Sequence, residues 1–241
     1  MSVFQGKTYW LVGASEGLGR ELAVQLAARG ARLVLSARNE ARLRTLETTL
    51  PDATVMAMDV ADLESVRDAV SGIGNVDAIV YCAGAYEPMA APDWNTEVAL
   101  RISEVNFGGA MRVLGETVGK MVRAGQGDIT LIGSLAGYRG LPAAIGYGAS
   151  KAALISLAET MRHDLKGTGV TVRIVNPGFI KTRLTDKNSF EMPQLMDVEK
   201  AALRVIRALE SNRFRTDFPA PFSWFIKLLS FLPDWLVYRG K

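Results

Sequence analysis

Cysteine and histidine are nearly missing from this chain, which holds one of each, Cys82 and His163, among 241 residues. A single thiol excludes an intrachain disulfide framework and a cysteine-based zinc site. It also fits a reducing compartment, so the expected location is cytoplasmic. Excess charge of one sign is lacking too. The chain carries 28 Lys and Arg against 25 Asp and Glu, a formal net charge of +3. No run of basic residues forms a stripe, which argues against nucleic acid as a partner. No stretch of about 18 uncharged apolar residues offers a membrane span. The opening residues, Met1-Ser2-Val3-Phe4-Gln5-Gly6-Lys7, lack the apolar run of a signal peptide. What the chain does have is a large apolar fraction, 49%, enough for a sizeable core.

Short apolar runs alternate with helical patterns. Strands are expected at 8–12, 32–36, 54–58, 78–82, 128–133 and 171–175. Helices are expected at 18–29, 40–50, 63–71 (opened by Asp62 as N-cap), 95–124, 147–165 and 198–210. Near-continuous apolar strands, each followed by a helix, indicate a parallel sheet covered on both faces. The expected fold is α/β, a doubly wound, Rossmann-like parallel sheet in one domain. Ligands would sit at the carboxyl ends of its strands. The expected division is a catalytic domain over 1–217 with a lid at 181–197, followed by an apolar tail over 218–241.

The first strand runs into Gly13-Ala14-Ser15-Glu16-Gly17-Leu18-Gly19 and then a helix. A glycine-rich strand-to-helix turn lets backbone approach a pyrophosphate, and the helix N-terminus supplies free N–H groups. The spacing is G-x-x-x-G-x-G, so the turn alone is a weak signal. Nineteen residues past Gly19 stands Arg38, with no acid at 36–38. A ribose 2′-hydroxyl calls for an acid there, whereas a 2′-phosphate suits an arginine. The expected cofactor is therefore NADP(H), with NAD(H) the other candidate.

Tyr147 and Lys151 stand four residues apart, on one face of a helix. A free tyrosine titrates near ~10, and a neighbouring cation lowers that value, so the pair suits general acid–base work. Such a pair also arises by chance. Ser134 follows the fifth strand, where its hydroxyl can meet a substrate oxygen. Asn106 interrupts a long helix, where asparagine is a poor former; its amide could anchor a water or bend the helix.

Taken in order, Gly13-x-x-x-Gly17-x-Gly19, Asp59-Val60, Ala83-Gly84, Asn106, Ser134, Tyr147-x-x-x-Lys151 and Asn176-Pro177-Gly178 resemble the classical branch of the short-chain dehydrogenases/reductases. The resemblance spans roughly residues 5–210. It implies a catalytic tetrad of Asn106, Ser134, Tyr147 and Lys151. It implies cofactor contacts from Gly13, Ser15, Gly17, Leu18, Gly19, Arg38, Asp59, Val60, Ala83 and Gly84, and, around the nicotinamide, from Tyr147, Lys151, Pro177, Ile180 and Thr182. It implies hydride transfer between NADP(H) and a carbonyl or secondary alcohol of a small-molecule substrate, in a homodimer or homotetramer, with no metal. Two departures stand out. Tyr81-Cys82 replaces the family's frequent Asn-Asn, which removes the usual asparagine contacts to the sheet. Glu16 replaces a frequent Arg or Lys, which weakens the case for a phosphate. A dinucleotide-sensing regulator on the same fold is the alternative, as is a membrane-docked scaffold, though neither needs an intact tetrad.

The lid mixes charge with Leu184, Phe190, Met192, Pro193, Leu195 and Met196, which predicts a mobile cover with an apolar inner side. In the tail, Ser223, Lys227 and Ser230 form one narrow polar stripe on an otherwise apolar helix over 222–232. Such a helix must bury against its own lid, a partner subunit or a membrane surface. The substrate is accordingly expected to be apolar. His163 and Cys82 read as ordinary packed residues.

Overall fold

The computed structural model describes residues 2–188 and 190–237. Of the expectations above, those at Met1 in the catalytic domain, Ser189 in the lid and 238–241 in the tail lie outside the described residues.

Seven strands form one parallel sheet: β1 (Thr8–Val12), β2 (Arg32–Ser36), β3 (Ala53–Val55), β4 (Ala78–Tyr81), β5 (Gly127–Ile132), β6 (Val170–Pro177) and β7 (Arg215–Phe218). Their spatial order is β3-β2-β1-β4-β5-β6-β7. The helices are α1 (Gly17–Ala27), α2 (Glu40–Glu47), α3 (Leu63–Gly72), α4 (Thr96–Ser103), α5 (Gly109–Ala124), α6 (Tyr147–Asp164), α7 (Val198–Glu210), α8 (Phe222–Phe231) and α9 (Asp234–Val237).

The two-residue period of a strand sends alternate side chains to opposite faces. In β1, Tyr9 and Leu11 join Leu22 and Leu26 of α1 and Val205 of α7 in one core. Trp10 and Val12 join Val66 of α3, Val113 of α5 and Leu154 of α6 in the other. Each fully buried side chain of this size stabilises by roughly 1.5–3 kcal/mol relative to exposure. One buried polar pair links three segments of the sheet. The Trp10 indole donates to Ser36 Oγ (2.8 Å), and that hydroxyl donates to the Met56 carbonyl (2.7 Å). Side-chain caps from Asn39, Asp62 and Asn95 start α2, α3 and α4, so the expected Asp62 cap is present.

Three expectations are corrected. The third strand covers only Ala53–Val55 rather than 54–58. A seventh strand, β7, is Arg-Thr-Asp-Phe, a polar edge segment with no apolar run to announce it. The single helix expected over 95–124 is broken by a π-helical turn at Glu104–Gly108. In the tail, α8 lies where a helix was expected over 222–232, Pro233 separates it from α9, and its polar stripe faces inward. Ser223 is buried, while Lys227 pairs with Asp217 at the end of β7.

Candidate active site

The strand order reverses between β1 and β4, so a crevice opens beyond their carboxyl ends. The glycine turn lies there. Gly13 has φ +97°, and a Cβ on it would stand 2.5 Å from the Ala83 nitrogen. A Cβ on Gly19 would stand 2.1 Å from the Gly13 carbonyl oxygen. These two positions therefore require glycine sterically, and they hold Ala83-Gly84 against the turn. A Cβ on Gly17 would meet the Thr182 methyl at 3.3 Å, so the start of the lid segment adjoins the same cradle. Ser15 is partly buried there and Leu18 is buried. Asp59 accepts from the Ala61 N–H (3.0 Å) in a tight turn, with Val60 buried beside it. Pro177, the last residue of β6, and Ile180 just past it are buried.

Arg38 is exposed just past β2 and forms no ion pair among the described residues. Glu16, the charge that opposes an anionic ligand, is itself paired. Arg42 Nη1 lies 2.5 Å and Arg183 Nη1 3.3 Å from its carboxylate. Both pairs are well exposed, so each contributes little to stability, but together they offset the local negative charge.

The tetrad expected from sequence converges at the same edge. Tyr147 opens α6, and Lys151 lies one turn on, with its Nζ 5.7 Å from the Tyr147 ring centre. Burial pushes the Tyr147 phenol up to about 12, against the opposing pull of a hydrogen bond with Ser134. Lys151 is buried and donates to the Ile132 carbonyl at the end of β5 (2.8 Å); burial lowers its ammonium to about 8. The partly buried Cys82 thiol is pushed up to about 11 by burial, with Lys151 pulling it down. Desolvation outweighs the Ser134 hydrogen bond, so the phenol is a proton holder at neutral pH. The sequence expectation of a lowered phenol is corrected for the protein by itself.

Asn106 sits in the π turn and is fully buried. Its Oδ1 accepts from the Ala85 N–H (2.6 Å), and its Nδ2 donates to the Ala85 carbonyl (3.0 Å) and Ser150 Oγ (3.0 Å). Both amide hydrogens and one of the two Oδ1 lone pairs are thus engaged by protein. The amide clamps the segment after β4 to α6. Tyr81 strengthens the same clamp. Its hydroxyl donates to the Val105 carbonyl inside the π turn (2.6 Å), a contact that stands where the sequence lacks the family's asparagine.

The family model described as short chain dehydrogenase matches residues 7–192. The chain belongs to the short-chain dehydrogenase/reductase family. An uncharacterized oxidoreductase of Myxococcus xanthus is 35% identical over 232 residues, covering 93% of this chain and 90% of its own. A 3-oxoacyl-(acyl-carrier-protein) reductase of Rickettsia typhi is 32% identical over 185 residues, covering 76% and 77%. The crystal structure of a short chain dehydrogenase from Burkholderia cenocepacia, in complex with NADP, aligns with a TM-score of 0.85 at 25% identity, over 93% of this chain and 92% of that one. The chain is an oxidoreductase of this family.

This short-chain dehydrogenase/reductase has site residues that the sequence reading missed. Tyr86 packs edge-on against Tyr147, with ring centres 4.9 Å apart. Its hydroxyl donates to Asn188 Oδ1 in the lid (2.6 Å), and its carbonyl accepts from Lys187 (3.1 Å). Tyr86 therefore joins the 181–197 segment to Tyr147. Only its position two residues past Ala83-Gly84 could have drawn attention to it. A second missed group is Asp217 of β7, which accepts from Tyr138 (2.6 Å) and Asn176 (2.8 Å). His163, near the far end of α6, lies about 24 Å along the helix from Tyr147 and borders a shallow surface hollow instead.

Proposed function

We propose that this oxidoreductase transfers hydride between NADP(H) and a carbonyl or secondary alcohol, with Tyr147 as the general acid and base. The observation that carries this reading is the convergence of Ser134, Tyr147 and Lys151 beside a glycine cradle at the switch point of the sheet. The residues present fit a dinucleotide: crowded glycines for the pyrophosphate, Asp59 and Val60 for the adenine, and Ile180 and Thr182 for the carboxamide end. When bound, the nicotinamide supplies or accepts the hydride. In reduction, Ser134 and Tyr147 hold the substrate oxygen and the phenol delivers its proton. Lys151 holds the ribose and stabilises the phenolate that is left. In oxidation, the phenolate takes the hydroxyl proton. Asn106 acts as a positioning residue, holding Ser150 and the segment at Ala85.

The preference for NADP(H) over NAD(H) is supported by Arg38, by the neutralised Glu16 and by the NADP bound to the Burkholderia relative. An apolar ketone, aldehyde or acyl-type substrate is supported by the aromatic surroundings of Tyr147 and by the Rickettsia relative's name. Residues 1–217 form the catalytic domain, with 181–197 as its lid and 218–241 as the tail. Exposed Leu100 and Met111 on α4 and α5 support a homodimer or homotetramer.

The test is Tyr147→Phe. It should bind NADPH as the wild type does while turnover falls by about 10²–10⁴ on any ketone that the wild type reduces. Turnover within a few-fold of wild type would remove Tyr147 from the chemistry.

A further inference from the structure

Helix α8 is oriented against the ordinary rule for a surface helix. Its polar side chains face the protein, and four of its bulky apolar ones face out. Ser223 is 1% exposed and Ile226 4%, whereas Trp224 is 69%, Phe225 56%, Leu228 56% and Phe231 84% exposed. Lys227 is drawn inward onto Asp217, and the Ser230 hydroxyl donates to the Lys227 carbonyl (2.6 Å). The inner face is thus fixed by a half-exposed ion pair and by packing, which leaves no reason in the fold for the outer face to be apolar. Leu236 of α9 is an exposed apolar side chain as well.

We propose that this outer face of α8 and α9 is a lipid-binding surface, taking the headgroup–acyl boundary of an anionic bilayer. Three observations favour lipid over a second copy of the chain. First, the row is rich in bulky aromatic and aliphatic groups with no charge among them, the composition of a helix that lies in an interface. Its ten residues are about 15 Å long, and no described helix is long and apolar enough to cross a membrane, so the helix lies on the surface. Second, the charge is complementary. The ionisable groups of α8 and α9, Lys227 and Asp234, are tied to Asp217 and Arg139. The sequence two and four residues past α9 adds Arg239 and Lys241. An anionic headgroup layer attracts such cations, whereas the same face of a second copy brings more of the same sign. Third, the row is continuous with the lid. Phe222 stacks on Phe179 (5.8 Å), and Phe179 meets Phe190 of the lid edge-on (5.8 Å). A lipid surface on α8 thus borders the cover of the active site.

The test is flotation of the full chain with vesicles of phosphatidylcholine alone and of equimolar phosphatidylcholine and phosphatidylglycerol. Wild type should float with the anionic vesicles, and less with the neutral ones. Leu228→Ser and Phe231→Ser, both at exposed positions, should lower partitioning at least about tenfold with unchanged melting temperature, while Leu100→Ser on α4 should leave it unchanged. Should a tail variant misfold, bromine-labelled lipid gives a second measurement on the wild type, whose tryptophan emission should be quenched on binding. Wild type that stays unfloated and unquenched with anionic vesicles overturns the proposal. So does an equal loss in Leu100→Ser, which marks unspecific stickiness. A homo-oligomer that Phe231→Ser dissociates, in a protein that ignores vesicles, overturns it in favour of a second copy. None of these readouts depends on turnover, so they are independent of the proposed hydride chemistry.

Discussion

Lys151 is a buried ammonium whose one hydrogen-bond acceptor among the described residues is the Ile132 carbonyl, and this has a measurable cost. Its folded value, about 8, lies below the ordinary 10.5. Between these two values the unfolded chain binds more protons, so stability rises with pH across that window. Below pH 8 both states are charged and the full burial cost is present. That depression corresponds to about 3 kcal/mol. Lys151→Met removes the cost but leaves the Ile132 carbonyl unpaired, which gives back about 1–2 kcal/mol. The variant should be about 1–2 kcal/mol more stable than wild type in denaturant titrations at neutral pH, and the gap should close towards pH 10.5. A gap that widens with pH would contradict the assignment. The same residues set an activity profile. Tyr147, pushed up to about 12, stays protonated through neutral pH, so the kcat/KM of reduction should be level below about pH 8 and fall above it as Lys151 discharges. A reduction profile that rises through pH 8 to 9 would show that another group limits the reaction. At this scale the sequence was informative about identity and less so about state. The spacing of Tyr147 and Lys151 put them on one face, but their burial, which decides the protonation of each, comes from β5 and from the segment after β4.

Among the elements, the turn from β1 into α1 is the most tightly constrained. Gly19→Ala places a methyl 2.1 Å from the Gly13 carbonyl oxygen, so α1 must shift away from the turn. The expected result is a loss of about 1–3 kcal/mol in stability, as for other overpacked sites, together with weaker dinucleotide binding by fluorescence titration. Unchanged binding and melting would show that α1 yields freely. Six strands and most helices were legible because their apolar period is strong. β7 was not, since Arg215-Thr216-Asp217-Phe218 sits at an edge and its side chains serve ion pairs and hydrogen bonds. The π turn was half legible. Asn106 marked a weak point in a long helical pattern, but only Ala85, Ser150 and Tyr81, from other segments, explain why the helix opens there. Tyr86 and Asn188 meet across 102 residues, a contact that no local pattern encodes.

For the whole molecule, the β3-β2-β1-β4-β5-β6-β7 order brings segments from both halves of the chain to one crevice. A ligand bound there should stabilise the folded state by mass action. NADPH at a hundred times its Kd should add about 2.7 kcal/mol, or about 5–10 °C in Tm for a chain of this size. NADH at the same concentration should add much less, and Arg38→Asp should narrow or reverse the difference. Equal shifts from both cofactors in the wild type would remove Arg38 from cofactor choice. The doubly wound architecture was legible from the alternation of strands and helices. The orientation of the tail was not. A polar stripe on an apolar helix ordinarily marks the wet side, and here Asp217 draws it inward.

The π turn at Glu104–Gly108 also sets how this site tolerates insertions and deletions. A π turn holds one residue more than the α-helical path it replaces. Removing one residue from 104–108 would let the chain close into ordinary helix with α4 and α5 still in phase. α5 would keep its place against α3 and the sheet, and Asn106 would be pulled out of its position between Ala85 and Ser150. Chain length in this short stretch is therefore as much a part of the active site as the side chains around it.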